Sequence, residues 1–191
     1  MKINKLVIGP LLNNCYILEI NNNVIIIDPS DNFELIDKTI NNRNVVAIFI
    51  THYHYDHVGA LEQLKNKYNV KIYDYKDDEK NYIINDFNFD LIYTKGHSKD
   101  SVSFYFKKEE KLFCGDFIFR ENIGRCDLPG GDFNEMLQSI KKIKKYDECT
   151  IYTGHEELTT LSHEKKYNPY FNEDIIWQEK KDIKIKKYLN H

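Results

Sequence analysis

Three imidazoles and a carboxylate fall within the six residues His52-Tyr53-His54-Tyr55-Asp56-His57, just after the apolar run Val45-Val46-Ala47-Ile48-Phe49-Ile50. An amphipathic pattern, Val58, Leu61, Leu64 and Tyr68, comes directly behind. The chain must therefore end a buried strand, turn tightly, and start a helix with ligand-type side chains on the turn. In layered α/β folds the loop beyond the carboxyl end of a buried strand is where ligands gather. His52 and His54 alternate, so both rings point the same way from an extended segment. Asp56 and His57 turn back at the helix start, toward a second point. Imidazole and carboxylate donors with no thiolate nearby suit zinc, iron or manganese.

Around this loop the chain punctuates itself. Ile3–Ile8, Cys15–Ile20 and Val24–Ile27 read as short strands, separated by Gly9-Pro10 and Asn21-Asn22-Asn23. Asp28-Pro29-Ser30 closes the third strand, and Phe33, Ile36 and Ile40 mark a helix over 33–40. A helix over 58–67 follows the histidine loop, and then a short strand at 71–73. Residues 74–89 are polar and acidic and read as a surface connection. A strand at 91–94 ends at Lys95-Gly96-His97-Ser98, and 102–106 with 112–114 form a hairpin-like pair that ends just before Asp116. Asp132 is a good N-cap, with Glu135 three residues on to complete a capping box. Phe133, Met136, Leu137, Ile140 and Ile143 make the apolar stripe of the helix behind it, and Lys141, Lys142, Lys144 and Lys145 its solvated end. A last strand, Thr150–Thr153, ends at Gly154-His155. His52 and His54, His97, Asp116 and His155 thus all stand at or just past strand ends, so separate loops can converge on one sheet edge. Clustered strands followed by mixed strands and helices favour two sheets covered by helices over a single parallel sheet.

Length and composition narrow the class. A chain of 191 residues, 41% hydrophobic and 30% charged, suits one soluble domain with a tail. A net charge of -3 lends no support to a nucleic-acid partner. No long apolar segment follows Met1-Lys2-Ile3-Asn4-Lys5, so neither a signal peptide nor a membrane span is expected, and a cytoplasmic location is. Cys15, Cys114, Cys126 and Cys149 form no CxxC pair and read as free thiols that pack as small apolar side chains.

His52-x-His54-x-Asp56-His57, then His97, Asp116 and His155, resembles the signature of the metallo-β-lactamase superfamily. Gly115-Asp116-Phe117-Ile118-Phe119, the stretch Ile123 to Asp132, and Gly154-His155 with Thr159-Thr160, Glu164 and Asn168-Pro169-Tyr170 resemble its short glyoxalase II-like hydrolases. The resemblance implies an α+β fold, an αββα sandwich of two mixed β-sheets flanked by helices, over residues 1–171. It implies two divalent metal ions, zinc by expectation, with iron or manganese as alternatives. His52, His54 and His97 would hold the first, Asp56, His57 and His155 the second, and Asp116 would bridge them. Asp56 could also orient the attacking hydroxide or accept a proton. The implied reaction is attack of a metal-bridging hydroxide on a small-molecule thioester, with glutathione as the thiol half. Arg125, nine positions past Asp116, stands where the family has a basic glutathione contact.

The resemblance also marks departures. Lys99-Asp100 follows His97-Ser98 where family members usually carry Pro-Gly, and Glu156-Glu157 follows His155 where many carry Gly-Pro. Residues 172–191, with Ile175, Ile176, Trp177 and a lysine-rich run, read as a C-terminal helix packed on the domain. Two other functions fit parts of the pattern. One is a persulfide dioxygenase of the same fold, with a single iron on two His and one Asp; the other is a non-catalytic metal-binding protein. Secreted β-lactamases, RNA-processing relatives and flavodiiron proteins are set aside for want of a leader, a basic RNA-gripping surface and a Glu in the first motif.

Overall fold

A computed structural model describes residues 1–172. The first sheet holds β1 (Lys2–Ile8), β2 (Asn13–Ile20), β3 (Asn23–Ile27), β4 (Asn44–Phe49) and β5 (Ile72–Tyr73) in that spatial order. β1, β2 and β3 run antiparallel, while β4 is parallel to β3 and β5 to β4. The second sheet contains β6 (Asn81–Ile84), β7 (Phe87–Tyr93), β8 (Val102–Phe106), β9 (Lys111–Gly115), β12 (Thr150–Thr153) and β13 (Thr159–Thr160), ordered β13-β12-β9-β8-β7-β6. A two-stranded ribbon, β10 (Ile118–Phe119) with β11 (Asn122–Ile123), stands between β9 and α3 (Phe133–Ile143). The remaining helices are α1 (Phe33–Ile40), α2 (Leu61–Tyr68) and α4 (Leu161–Tyr167).

The layers follow from strand parity. Tyr16, Leu18, Ile25, Ile27, Ala47 and Phe49 meet Phe87, Phe89, Leu91, Phe104, Phe106 and Phe113 in the inter-sheet core. The alternate residues of the first sheet, among them Ile17, Val24, Ile26 and Ile48, face Ile36 and Ile40 of α1 and Leu61 and Leu64 of α2. On the second sheet, Ile92, Tyr105, Leu112 and Ile151 face Met136, Ile140 and Ile143 of α3 and Leu161 of α4. Both faces of each sheet are therefore buried, as the near-continuous apolar strands require. This is the expected αββα sandwich with two mixed sheets.

Three readings of the sequence change. Residues 74–89 are no plain surface connection, because β6 and the start of β7 lie inside them. Phe87 and Phe89 supply inward-facing alternation, which the charged residues around them mask, and β6 is an edge strand with Ile83 facing solvent. The helix expected over 58–67 begins later, at Leu61, because Tyr55–His57 forms a 3-10 turn first. α4 and the β10–β11 ribbon have no counterpart in the sequence reading. The C-terminal helix expected over 172–191 lies outside the described residues, Asn172 excepted. Among the described residues no helix is long and apolar enough to cross a membrane. All four cysteines are free, three of them buried. Burial pushes the Cys149 thiol up to about 12 and the half-buried Cys126 thiol up to about 11.

Strand direction places the centre. The carboxyl ends of β3, β4, β7, β9 and β12 lead to Asp28, Thr51-His52, His97, Asp116 and His155. β2 runs antiparallel to β3, so its first residue, Asn13, arrives at the same edge.

Candidate metal centre

Among the described residues seven donors form three overlapping trios, each with ligand atoms within 4.8 Å of one another: His52, His54 and His97; Asp56, His57 and His155; and His52, His57 and Asp116, which shares a residue with each of the first two. In the first trio His54 Nδ1 lies 3.1 Å from His52 Nε2 and 3.0 Å from His97 Nε2. A tetrahedral zinc site with Zn–N of about 2.0–2.1 Å spaces its donors by roughly 3.3 Å. In the second trio Asp56 Oδ2 lies 3.7 Å from His57 Nε2 and 3.4 Å from His155 Nε2. Asp116 stands between the first two trios. Its Oδ1 is 3.3 Å from His57 Nε2, and its Oδ2 is 3.7 Å from His97 Nε2 and 3.5 Å from His155 Nε2.

Four rings are fixed from behind, so that Nε2 faces inward. His52 Nδ1 meets Thr51 Oγ1 at 3.1 Å, His57 Nδ1 meets Asp28 Oδ2 at 3.0 Å, His97 Nδ1 donates to the Arg125 carbonyl at 2.8 Å, and His155 Nδ1 donates to the Leu11 carbonyl at 3.0 Å. Outer partners of this kind set tautomer and orientation in metal-binding histidines. Converging nitrogens at about 3 Å leave lone pairs facing each other unless a cation or a proton lies between them.

The buried polar atoms show the same need. His57 Nε2 and Asp116 Oδ1 are buried without a hydrogen-bond partner. Burial disfavours the charged His57 ring, but its contacts with the Asp116 and Asp28 carboxylates outweigh that and push its pKa up to about 10. Burial likewise opposes ionisation of Asp116, yet His57 and the neighbouring imidazoles hold its carboxyl well below the usual carboxylate range. His52 and His97 are held below the ordinary imidazole value, chiefly by burial. Neutral His52 and His97, with His57 able to exchange its proton for a metal, form with anionic Asp116 a donor set that fits divalent cations.

Two glycines make the space. A Cβ on Gly154 would lie 2.1 Å from Asp116 Oδ1 and 2.8 Å from the His57 ring, so any side chain there fills the gap between the trios. A Cβ on Gly124 would meet the Asp116 carbonyl at 1.8 Å and His97 Nδ1 at 3.1 Å.

All seven side chains expected at the centre, His52, His54, Asp56, His57, His97, Asp116 and His155, meet here. Arg125 comes near in a different way from the one expected. Its carbonyl holds His97, while its exposed guanidinium forks onto Asp127, with Nε and Nη2 each 2.8 Å from a carboxylate oxygen. Of the two departures from the family pattern, Asp100 accepts the backbone N–H of Tyr53 at 3.1 Å and so ties down the histidine loop. The sequence reading missed Asp28, Asn13 and Leu11. Asp28 is buried and accepts from Thr51 N at 2.8 Å and Thr51 Oγ1 at 2.6 Å as well as facing His57. Asn13, fully buried, donates Nδ2 to Asp56 Oδ2 at 2.8 Å and stands 3.2 Å from His155 Nε2. A lone Asp directly after an apolar strand was the one signal for Asp28, and the Leu11 contact, a backbone carbonyl, leaves no side-chain signal at all.

Known proteins resemble the chain in sequence and in fold. A sequence model of the metallo-beta-lactamase superfamily matches residues 8–90 and 76–155. A hydroxyacylglutathione hydrolase of Haemophilus influenzae is 27% identical over an alignment covering 90% of this chain and 99% of that protein. The crystal structure of the B3 metallo-beta-lactamase BLEG-1 superposes with a TM-score of 0.85 at 29% identity, covering 90% of this chain and 100% of that one. The protein TTHA1623, crystallised in a di-iron-bound form, superposes with a TM-score of 0.80 at 28% identity, covering 87% and 99% respectively.

Proposed function

The chain belongs to the metallo-beta-lactamase superfamily, and on that premise we propose that it is a thioester hydrolase of the hydroxyacylglutathione type that works with two divalent cations. The observation that carries the reading is the position of Asp116, within 3.3–3.7 Å of ring nitrogens from both trios. His52, His54 and His97 would hold one ion, Asp56, His57 and His155 the other, and Asp116 would span the two. Zinc is the expected metal, and iron or manganese suits the same donors.

When bound, such ions polarise a carbonyl oxygen and lower the pKa of a coordinated water toward neutrality. The chain supplies everything else. Asp28, the Leu11 carbonyl and the Arg125 carbonyl keep His57, His155 and His97 aimed inward, so the donors need no reorganisation during the reaction. Asn13 donates to Asp56 Oδ2 and so fixes a carboxylate that could orient the attacking water or take its proton. Arg125 would exchange Asp127 for a glutathione carboxylate, since a planar guanidinium pairs with either in the same forked way.

The name of the Haemophilus influenzae relative supports the substrate class, and the alignment over 99% of that protein matches this chain in length. A mononuclear iron dioxygenase, with one iron on two His and Asp116, would leave Asp56, His57 and His155 without a role. The test is a panel of S-lactoylglutathione, other acyl thioesters, a lactone and a chromogenic β-lactam on the fully metallated protein. Turnover of glutathione thioesters is expected. Turnover of the β-lactam alone, oxygen uptake with glutathione persulfide, or no turnover at all would overturn the reading.

A further inference from the structure

Next to His155 lies a groove of about 590 Å³ whose walls include Val7, Leu11, Leu12 and Phe119, with Glu156 at its edge. Its apolar walls stand in water: Val7 is 52% exposed, Leu11 49% and Leu12 65%. Leu12 also sits at φ 56, in the left-handed region that branched apolar residues rarely adopt. A turn that holds a leucine there and turns adjacent apolar side chains outward gives up stability, and such strain and exposure collect where a ligand binds.

The turn is joined to the reaction centre by two contacts. The Leu11 carbonyl holds His155 Nδ1, and the Phe119 and His155 ring centroids are 6.3 Å apart. His155 itself lines the groove, which therefore abuts the second trio. Its charge argues against the thiol half of a glutathione thioester, which carries carboxylates: Glu156 lines the groove, and His155 is its one basic side chain. On the groove side exposed Lys5 is tied to the Glu156 carbonyl and Arg120 to Glu157, whereas the first trio is bordered by exposed Lys99, two residues past His97, and by Arg125, which holds His97 through its carbonyl and pairs its guanidinium with Asp127. A thioester lying across the centre would place its charged thiol half on that basic rim and its acyl half against Leu11, Leu12 and Phe119.

We propose that this groove is the acyl pocket, and that it favours apolar acyl groups of medium length, linear or arylalkyl, over shorter ones. The proposal rests on the thioester-hydrolase reading and sharpens its substrate class.

The experiment uses the fully metallated protein and two readouts. One is calorimetric binding of the free acids acetate, butanoate, hexanoate and phenylacetate; the other is kcat/KM for thioesters of the same acids with a single thiol. Each added methylene should tighten acid binding and raise kcat/KM about two- to fourfold until the groove is filled. Leu12→Asp changes an exposed side chain, and its fold can be checked by thermal melting; it should reduce that increment to nearly one. Phe119→Ala should reduce it in part. Length-dependent binding of the acids without hydrolysis of any thioester would support the pocket while removing the thioester reading. Thioesters hydrolysed at rates indifferent to chain length, or acetate and hexanoate binding within twofold of each other, would overturn the pocket alone. Survival of the full increment in Leu12→Asp would overturn it as well.

Discussion

Asp28→Asn tests how the fold prepares the second trio. Asp28 is 2% exposed and accepts from Thr51 N through Oδ1, and from Thr51 Oγ1 and His57 through Oδ2. An asparagine keeps the volume and can keep the Thr51 N bond through its carbonyl oxygen. Its NH2 then takes the place of Oδ2. The Thr51 hydroxyl can turn and accept from it, but His57 Nδ1 can meet an NH2 only as an acceptor. The ring would have to carry its proton on Nε2, the atom aimed at Asp56 and Asp116. Loss of a hydrogen bond to a charged group costs about 1.5–3 kcal/mol, and outer-partner changes at metal sites commonly weaken metal affinity about 10- to 100-fold. A chelator-competition titration that resolves the two sites should therefore show the second ion weakened about 10- to 100-fold and the first changed less than about threefold. Thermal melting of the chelated variant separates this from a loss of fold. Equal weakening of both ions, or a second-site affinity within about threefold of the native protein, would refute the tautomer argument.

Asp116→Asn keeps size but removes the charge shared by both trios; it should shed metal and lower kcat at least about a hundredfold, and near-normal turnover at full metal occupancy would contradict the bridging role. Arg125→Ala should raise KM for a glutathione thioester about two- to fivefold with kcat little changed, because the guanidinium is exposed and already paired; a thioester lacking glutathione should be insensitive to the change, and an unmoved KM for the glutathione substrate would remove the contact. The pH response should change sign with metal. In the chelated protein the His57 pKa, raised to about 10, gives stability that is complete below the ordinary imidazole value of about 6.5 and lost as pH rises through about 10. Bound metal replaces that proton, so second-site affinity should rise over the same window. Melting temperatures of chelated and loaded protein measured across it should diverge, and a chelated protein that gains stability from its His57 site with rising pH would contradict the assignment.

Much of this was legible in the residues themselves. α1 spans Phe33–Ile40 and β12 spans Thr150–Thr153 with the expected bounds, because an amphipathic stripe and an apolar run end there at clear breakers. Asp132 caps α3 as expected, accepting from the backbone of Asn134 and Glu135. The histidine loop was the clearest signal, since four donors on one turn have no packing use. What stayed hidden were partners defined by tertiary approach. Asn13 reaches Asp56 only because β2 runs antiparallel to β3 and starts at their shared edge. Glu164, noted in the sequence only as a mark of family resemblance, is fully buried and accepts from Glu121 N, Thr159 Oγ1 and Asn168 Nδ2. Through these bonds it fastens the β10–β11 ribbon to α4, a tie that no local pattern predicts. The Phe87–Phe89 alternation was present but outweighed by the charges beside it, because hydropathy averaged over a mixed segment hides an edge hairpin.

On this reading one chain holds two ions on two trios joined by Asp116. Elemental analysis of the reconstituted, desalted protein, run beside His57→Ala, tests it most directly. The native protein should carry two equivalents of divalent metal per chain and the variant one, since His57 is assigned to the second ion alone. One equivalent in the native protein, or two retained in His57→Ala, would contradict it.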